Sequence, residues 1–471
     1  MKALRKNLRR LALLMACLFL LLAGYGAYSL STYGSRWFAS GANTFVRQKK
    51  QNVIPGDIYD RSGALLASTD ENGARTYQSD AAARRAMVHV LGDSAGNVNN
   101  GVESFMAAYL YGFNASFLER ANAYFSGEKL HGDSVTLSVD NGLTARIASL
   151  FPDGKSGAVV VMNYRTGEVL SELSFPDFDP AQVDASVRQN PQKPFFNRAV
   201  QGLYTPGSTF KIVTALSALE NLAGVQTRAF QCDGQFQAGD RVITDAGTDL
   251  SQNKIVSHGQ LTLLRAFQVS CNNTFARLAL ELTDAKLRRT AETLGFNVNF
   301  LFRDLVVENS SYPTMNRTER EVAWTGAGQS ALLVTPMHLC MIASAVANDG
   351  LMMEPALLLR AVSPAGRERA AFTPRAFGRV MTEADARTLQ EYMRAVVTGG
   401  TGTRAAVSGH TVCGKTGSAE IDGQETTNAW FTGFLLEEDA PYAVTVVVEN
   451  AGGGGSVAAP IAGDIFKYLT Q

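Results

Sequence analysis

A chain of 471 residues is too long for one ordinary core, so two or more extramembrane parts are expected. Lysine plus arginine and aspartate plus glutamate balance at 43 each, with no basic stripe interleaved with aromatics, which argues against nucleic acid as a partner. A hydrophobic content of 46% is that of a folded protein and excludes extensive disorder.

Lys2, Arg5, Lys6, Arg9 and Arg10 precede an uncharged run from Leu11 to Leu30. Twenty helical residues span about 30 Å, one hydrocarbon thickness. The basic flank predicts a cytoplasmic tail at 1–10, a single transmembrane helix at 11–30 and everything later outside the cytoplasmic membrane. A cleaved signal peptide is the competing reading, but the run is long and ends in Tyr25, Tyr28 and Ser29 without a small-x-small site. Leu14-Met15-Ala16-Cys17 loosely resembles a lipoprotein box, against which the apolar run continues past Cys17.

From 31 to 155 the chain is rich in polar turns, with strand-like pieces at 52–59 and 86–91 and a helical stretch at 101–111. No reaction centre is visible there, and a spacer or pedestal is expected. The texture changes at Ser156. Residues 157–173 read as strand, turn, strand, and 175–194 as a loop carrying four of the fourteen prolines. The stretch Tyr204-Thr205-Pro206-Gly207-Ser208-Thr209-Phe210-Lys211 then opens a buried helix at or next to Ser208. A turn-rich patch at 232–257 follows, then helical periodicity at 261–282 and 285–294. Thr335 and Thr382 read as N-caps of two more helices. Strand-like runs at 411–419, 429–436 and 442–450 and a helix at 456–469 close the chain. Strands at both ends of a helical middle predict an α/β sandwich whose sheet is assembled from distant pieces.

Serine becomes a useful nucleophile only when a base takes its proton, and an amine can do so only where burial or a neighbouring cation lowers its pKa. Ser208 at a helix start, with Lys211 one turn on, offers that arrangement. S-x-x-K arises roughly twice by chance in a chain of this length. It occurs three times, and Ser126–Lys129 and Ser251–Lys254 lie in polar surroundings that would keep their lysines solvated. Gly414-Lys415-Thr416-Gly417-Ser418 contains K-T-G, expected only about 0.1 times by chance. Its glycines let a ligand backbone approach a strand, its lysine supplies positive charge, and Thr416 and Ser418 offer hydroxyls to a carboxylate. Ser270-Cys271-Asn272 is a weak motif alone, singled out by its apolar helical flanks. The Gly452–Gly455 run lacks G-K-[ST] and reads as a turn. Cys17, Cys232, Cys271, Cys340 and Cys413 form no disulfide framework, and with five scattered histidines they show no metal-ligand spacing. They are expected as small buried residues, with no metal and no cofactor.

S-x-x-K, S-x-N and K-T-G in this order resemble the penicillin-recognising acyl-serine transferases. Residues 54–67, Ile-Pro-Gly-Asp-Ile-Tyr-Asp-Arg-Ser-Gly-Ala-Leu-Leu-Ala, resemble the signature at the start of the class B penicillin-binding-protein pedestal, with Pro55 where arginine is usual. Thr166-Gly167-Glu168 through Pro180, Asn197-Arg198-Ala199, Gly328-Gln329 with Thr335-Pro336, Asn348-Asp349-Gly350 and Ala429-Trp430-Phe431-Thr432-Gly433-Phe434 are similar to that family's transpeptidase domain. The resemblance implies a transpeptidase or serine β-lactamase-like α/β fold, with an antiparallel sheet flanked by helices on both faces and an all-helical subdomain. It would occupy 156–471, behind a mixed α+β pedestal at 31–155.

The resemblance also implies a peptidoglycan D,D-transpeptidase inhibited by β-lactams. Ser208 would be the nucleophile, Lys211 its base and Ser270 the proton relay. Asn272 and Lys415 would complete the catalytic set, and Thr416, Gly417 and Ser418 would bind substrate. Stem peptides, β-lactams and a SEDS-type glycosyltransferase are the implied partners. A D,D-carboxypeptidase or β-lactamase shares the first half of this chemistry, and a catalytically silent cell-wall scaffold is the reading from another class.

Overall fold

The computed structural model describes residues 2–39, 52–70, 73–98, 100–315, 317–420 and 426–471. Helix α1 (Lys2–Ala39) continues past the expected end at Leu30. Its Leu4–Leu30 portion is long and apolar enough to cross a membrane.

The segment after α1 is organised on a six-stranded sheet. Ile58–Tyr59 lies inside it, antiparallel to Leu65–Thr69 and parallel to Ser134–Leu137. Asp60 closes the turn between the first two strands, its Oδ1 accepting from Ser62 N, Ser62 Oγ and Ala64 N at 2.8, 2.6 and 2.8 Å. Gly56 is required by a close approach, since a Cβ there would lie 2.0 Å from Asp133 O. Two further strands, Leu358–Val362 and Glu368–Ala371, come from far down the chain and extend the sheet beyond Ser134–Leu137. Residues 86–91, expected as a strand, are helical, in the elements Ala81–Ala86 and Val88–Leu91. Asp80 starts the first of these by accepting from the amides of Ala82 and Ala83, and burial of Val88 through Leu91 on all sides hides any helical periodicity.

The second sheet carries the K-T-G run on its edge strand. Strands β1 (Gly157–Asn163), β2 (Val169–Phe175), β3 (Val412–Glu420), β4 (Thr427–Leu435) and β5 (Tyr442–Val448) form it in the order β3-β4-β5-β1-β2, antiparallel throughout. Both faces are covered, which is why β1 reads as an unbroken apolar run. Ala158, Val160 and Met162 pack with helix α4 (Pro336–Ala347), whereas Val159 and Val161 pack with helix α6 (Ala458–Leu469). Along the chain between β2 and β3 come helix α2 (Lys211–Asn221), helix α3 (Asn272–Thr293) and helix α5 (Glu383–Gly399). The patch at 232–257, expected as turns, contains a hairpin of Gln235–Ala238 with Arg241–Thr244, beside a pair formed by Phe230–Cys232 and Gly259–Leu261.

Candidate active site

Ser208 sits in a 3-10 turn, Gly207–Phe210, that leads directly into α2. The turn is tied down from several sides. Thr209 Oγ1 donates to Pro206 O at 2.7 Å, Trp430 Nε1 donates to Thr205 O at 3.2 Å, and Tyr204 exchanges backbone hydrogen bonds with Val334. Gly207 has φ +56°, and a Cβ on it would press 3.0 Å from Ser418 O, so β3 runs hard against the turn.

Residues 59 and more positions apart in sequence meet at this point. Lys211 Nζ lies 2.9 Å from Ser208 Oγ, 2.8 Å from Ser270 O, 3.2 Å from Ser270 Oγ and 2.6 Å from Asn272 Oδ1. Lys415 Nζ lies 3.0 Å from the same Ser270 Oγ and 3.0 Å from Thr416 O. Ser270 therefore bridges two amines. Its φ of 61° breaks the helical path between Leu263–Gln268 and α3 and aims both its hydroxyl and its carbonyl at Lys211. Asn272, in the first turn of α3, spends its Oδ1 on Lys211 and one Nδ2 hydrogen on Thr244 O at 2.9 Å, leaving one amide hydrogen for a ligand.

Both lysines are fully buried, each with its Nζ 5.6 Å from a phenylalanine ring centre, Phe275 for Lys211 and Phe267 for Lys415. Burial lowers Lys211 to about 8, against the opposing pull of Cys271 and the Asp245 carboxylate. Burial, and then the charge of Lys211, push Lys415 well below the ordinary lysine value. Two ammonium groups sharing one hydroxyl in an apolar pocket cannot both stay charged, so the positive charge expected to be fixed on Lys415 is shared across the pair. In its neutral form Lys211 can give two N–H bonds to the carbonyls of Ser270 and Asn272 and keep its lone pair for the Ser208 hydroxyl.

These groups open into a cleft of about 680 Å³. β3 forms one wall as the edge strand of its sheet, with Ser418 exposed and Thr416 Oγ1 2.5 Å from Thr401 Oγ1. Gly417 lies in close contact with the Ser208 turn, and a Cβ there would press to 3.0 Å from Pro206 O and Thr209 Cγ2. The two other S-x-x-K serines and lysines, Ser126, Lys129, Ser251 and Lys254, are all exposed.

Sequence reasoning missed several lining residues: Trp324, Gln329, Thr401, Gly453 and Gly455. Gly454 N donates to Ser418 Oγ at 3.2 Å, and a Cβ on Gly454 would strike Gly417 O at 2.3 Å, so the glycine run is packed against β3. A run of four glycines was a signal of such close approach. Side chains with no ligand spacing in the sequence also meet here: Cys232, Asp245, His258 and Cys271 converge beside Ser270, with their donor atoms all within 4.8 Å of one another.

The penicillin-binding protein transpeptidase domain model matches residues 157–467, and the chain belongs to that family. It is 28% identical to the peptidoglycan D,D-transpeptidase PbpA of Mycolicibacterium smegmatis, over 97% of each chain. It is 34% identical to the stage V sporulation protein D of Bacillus subtilis, over 68% of this chain and 49% of that one. Among solved structures, penicillin-binding protein A from M. tuberculosis as a ceftriaxone acyl-enzyme complex superposes with TM-score 0.80 at 24% identity, covering 90% of this chain and 99% of that one. The D,D-transpeptidase domain from Eggerthella lenta does so with TM-score 0.74 at 28% identity, covering 88% and 98%.

Proposed function

We propose that the protein is a peptidoglycan D,D-transpeptidase working through an acyl-serine intermediate. The observation that carries this is the single hydrogen-bonded set Ser208, Lys211, Ser270, Asn272 and Lys415, with both amines buried. Neutral Lys211 takes the Ser208 proton as Oγ attacks the carbonyl carbon between the two terminal D-alanines of a stem peptide. The amides of Ser208 and Ser418 receive the developing oxyanion. A ligand carboxylate held by Thr416 and Ser418 draws the shared charge towards Lys415, which favours the neutral state of Lys211 when it is needed. The proton passes through Ser270 to the departing D-alanine amine, and the C–N bond breaks. An amine of a second stem peptide then attacks the ester carbon, restores the Ser208 hydroxyl and leaves a cross-link. A β-lactam would open on the same oxygen and stay attached.

We assign 1–10 to a cytoplasmic tail, 11–30 to the membrane span, 31–155 to the pedestal and 156–471 to the catalytic domain, with the cleft outside the membrane. The basic residues before the apolar run support that orientation. A SEDS-type glycosyltransferase is the proposed membrane partner. The pedestal helix Phe117–Ser126 leaves Phe117, Tyr124 and Phe125 more than four-fifths exposed, an apolar surface for such contacts. The deciding experiment offers purified lipid-linked precursor and separates joined dimers from trimmed monomers. Dimers support transpeptidation; trimmed monomers alone would replace it with a carboxypeptidase, and rapid turnover of a fluorescent penicillin with a β-lactamase.

A further inference from the structure

We propose that Cys232, Asp245, His258 and Cys271 bind one zinc ion and that this ion holds the Ser270-Cys271-Asn272 turn in place. The four donors face one point. Asp245 Oδ2 lies 2.9 Å from Cys232 Sγ, 3.5 Å from Cys271 Sγ and 3.3 Å from His258 Nδ1, and Cys232 Sγ lies 3.5 Å from His258 Nδ1. Zinc bonds of about 2.0–2.3 Å arranged tetrahedrally place donors about 3.3–3.8 Å apart, so the set needs only small adjustments to close on an ion. Two thiolates, an imidazole and a carboxylate form a closed set of the type that suits structural zinc, and the sulfur donors select it over magnesium or calcium.

The surroundings orient the ligands as a metal requires. Asp245 Oδ1 accepts from the amides of Asn272 and Asn273 at 2.5 and 3.3 Å, which turns Oδ2 towards the other three donors. Cys271 is the N-cap of α3, its sulfur accepting from Thr274 N at 3.3 Å. Cys232 and Gly259 are register partners, so His258 stands beside Cys232 at the end of that ladder. Cys232, Asp245 and Cys271 are buried, while His258 keeps 22% of its side chain exposed towards the cleft, a route for an ion to enter.

The excursion between Cys232 and His258 also lacks a core of its own, since Ala238 and Ile243 are its only members in a buried apolar cluster among the described residues. A metal node supplies the cross-link that apolar burial does not. Binding releases two thiol protons to solvent. Two thiolates and one carboxylate around a divalent ion keep the net charge at that of the lone carboxylate. The net charge behind Lys211 is then unchanged, and the contribution of the ion is to position Ser270 and Asn272.

The test begins with the full-length protein purified in detergent without chelator. Elemental analysis is expected to find close to one zinc per chain, and Cys232→Ser and His258→Ala, which remove direct ligands, to lower zinc affinity by more than about a hundredfold. Cobalt replacement should give thiolate-to-cobalt charge-transfer absorption. Stripping the metal should lower the melting temperature and slow acylation by fluorescent penicillin about tenfold, with recovery on adding zinc alone. The proposal is overturned if the wild-type chain equilibrated with zinc retains none, or if mass analysis finds Cys232 and Cys271 joined as a disulfide. Metal content is read on the wild type, whether or not the variants fold, and does not depend on which reaction the cleft performs.

Discussion

The two sheets of this molecule are held by different forces. The five-stranded sheet buries both faces against helices, and its strands of seven to nine residues are buried along almost their whole length outside the end of β3. The six-stranded sheet has strands of two to five residues and leans on buried charge. There Arg75 Nε meets Glu103 Oε1 at 2.7 Å, with both side chains at most 4% exposed, and Tyr111 donates to Glu103 Oε2 at 2.6 Å. Apolar burial is non-directional and tolerant, so the catalytic half can carry one buried lysine on its edge strand and a second on the helix beside it. The shorter sheet adds directional charge pairs to its own apolar contacts from Ile58, Leu66, Val135 and Leu137, and a directional pair loses more when one partner is removed.

Substitutions should separate the two regions. Ser208→Ala should abolish covalent labelling by fluorescent penicillin, a loss of at least about 10⁴-fold, while the melting temperature barely moves. Labelling that survives would remove Ser208 as nucleophile. Lys211→Ala should slow acylation by about 10²–10⁴-fold, read from the same gel over time. Arg75→Ala should reverse the pattern. It leaves Glu103 buried without its cation and should cost about 3–5 kcal/mol in denaturant unfolding, yet near-complete labelling of the folded fraction should persist. Because one buried apolar cluster runs through residues of both sheets, labelling lost from the folded fraction would show that the cluster transmits the pedestal change to the cleft.

The smallest effect is that of pH. Because burial lowers Lys211 to about 8, the reactive neutral amine grows as pH rises, and acylation should increase roughly fivefold from pH 7 to 8 before levelling off. Between about 8 and the ordinary lysine range the folded chain holds fewer protons than the unfolded one, so this group makes stability rise with pH there. An acylation rate flat across pH 6 to 9 would reassign the base.

Much of the catalytic half was legible because its signals are local. Thr335 and Thr382 do cap their helices, β3, β4 and β5 occupy the expected runs, and Ser208 stands at a helix entrance. Residues 86–91 were misread as a strand because burial of Val88 through Leu91 on every side erases the period on which such readings depend. The strands Leu358–Val362 and Glu368–Ala371 were missed as partners of the early sheet because pairing across more than two hundred residues leaves no trace in either segment.

Taken alone, the order of residues determined which side chains bear chemistry, since a serine, a lysine and a K-T-G run at helix starts and strand edges are properties of short windows. Only the tertiary structure decided that Ser270 Oγ stands 3.2 Å from one amine and 3.0 Å from the other, and that both amines lie fully buried. It alone gathered Cys232, Asp245, His258 and Cys271, spaced thirteen residues apart and so outside any compact ligand motif. The physical reason is that a pKa and a coordination shell depend on distance and dielectric, and both are set by how remote segments pack rather than by their neighbours in the chain.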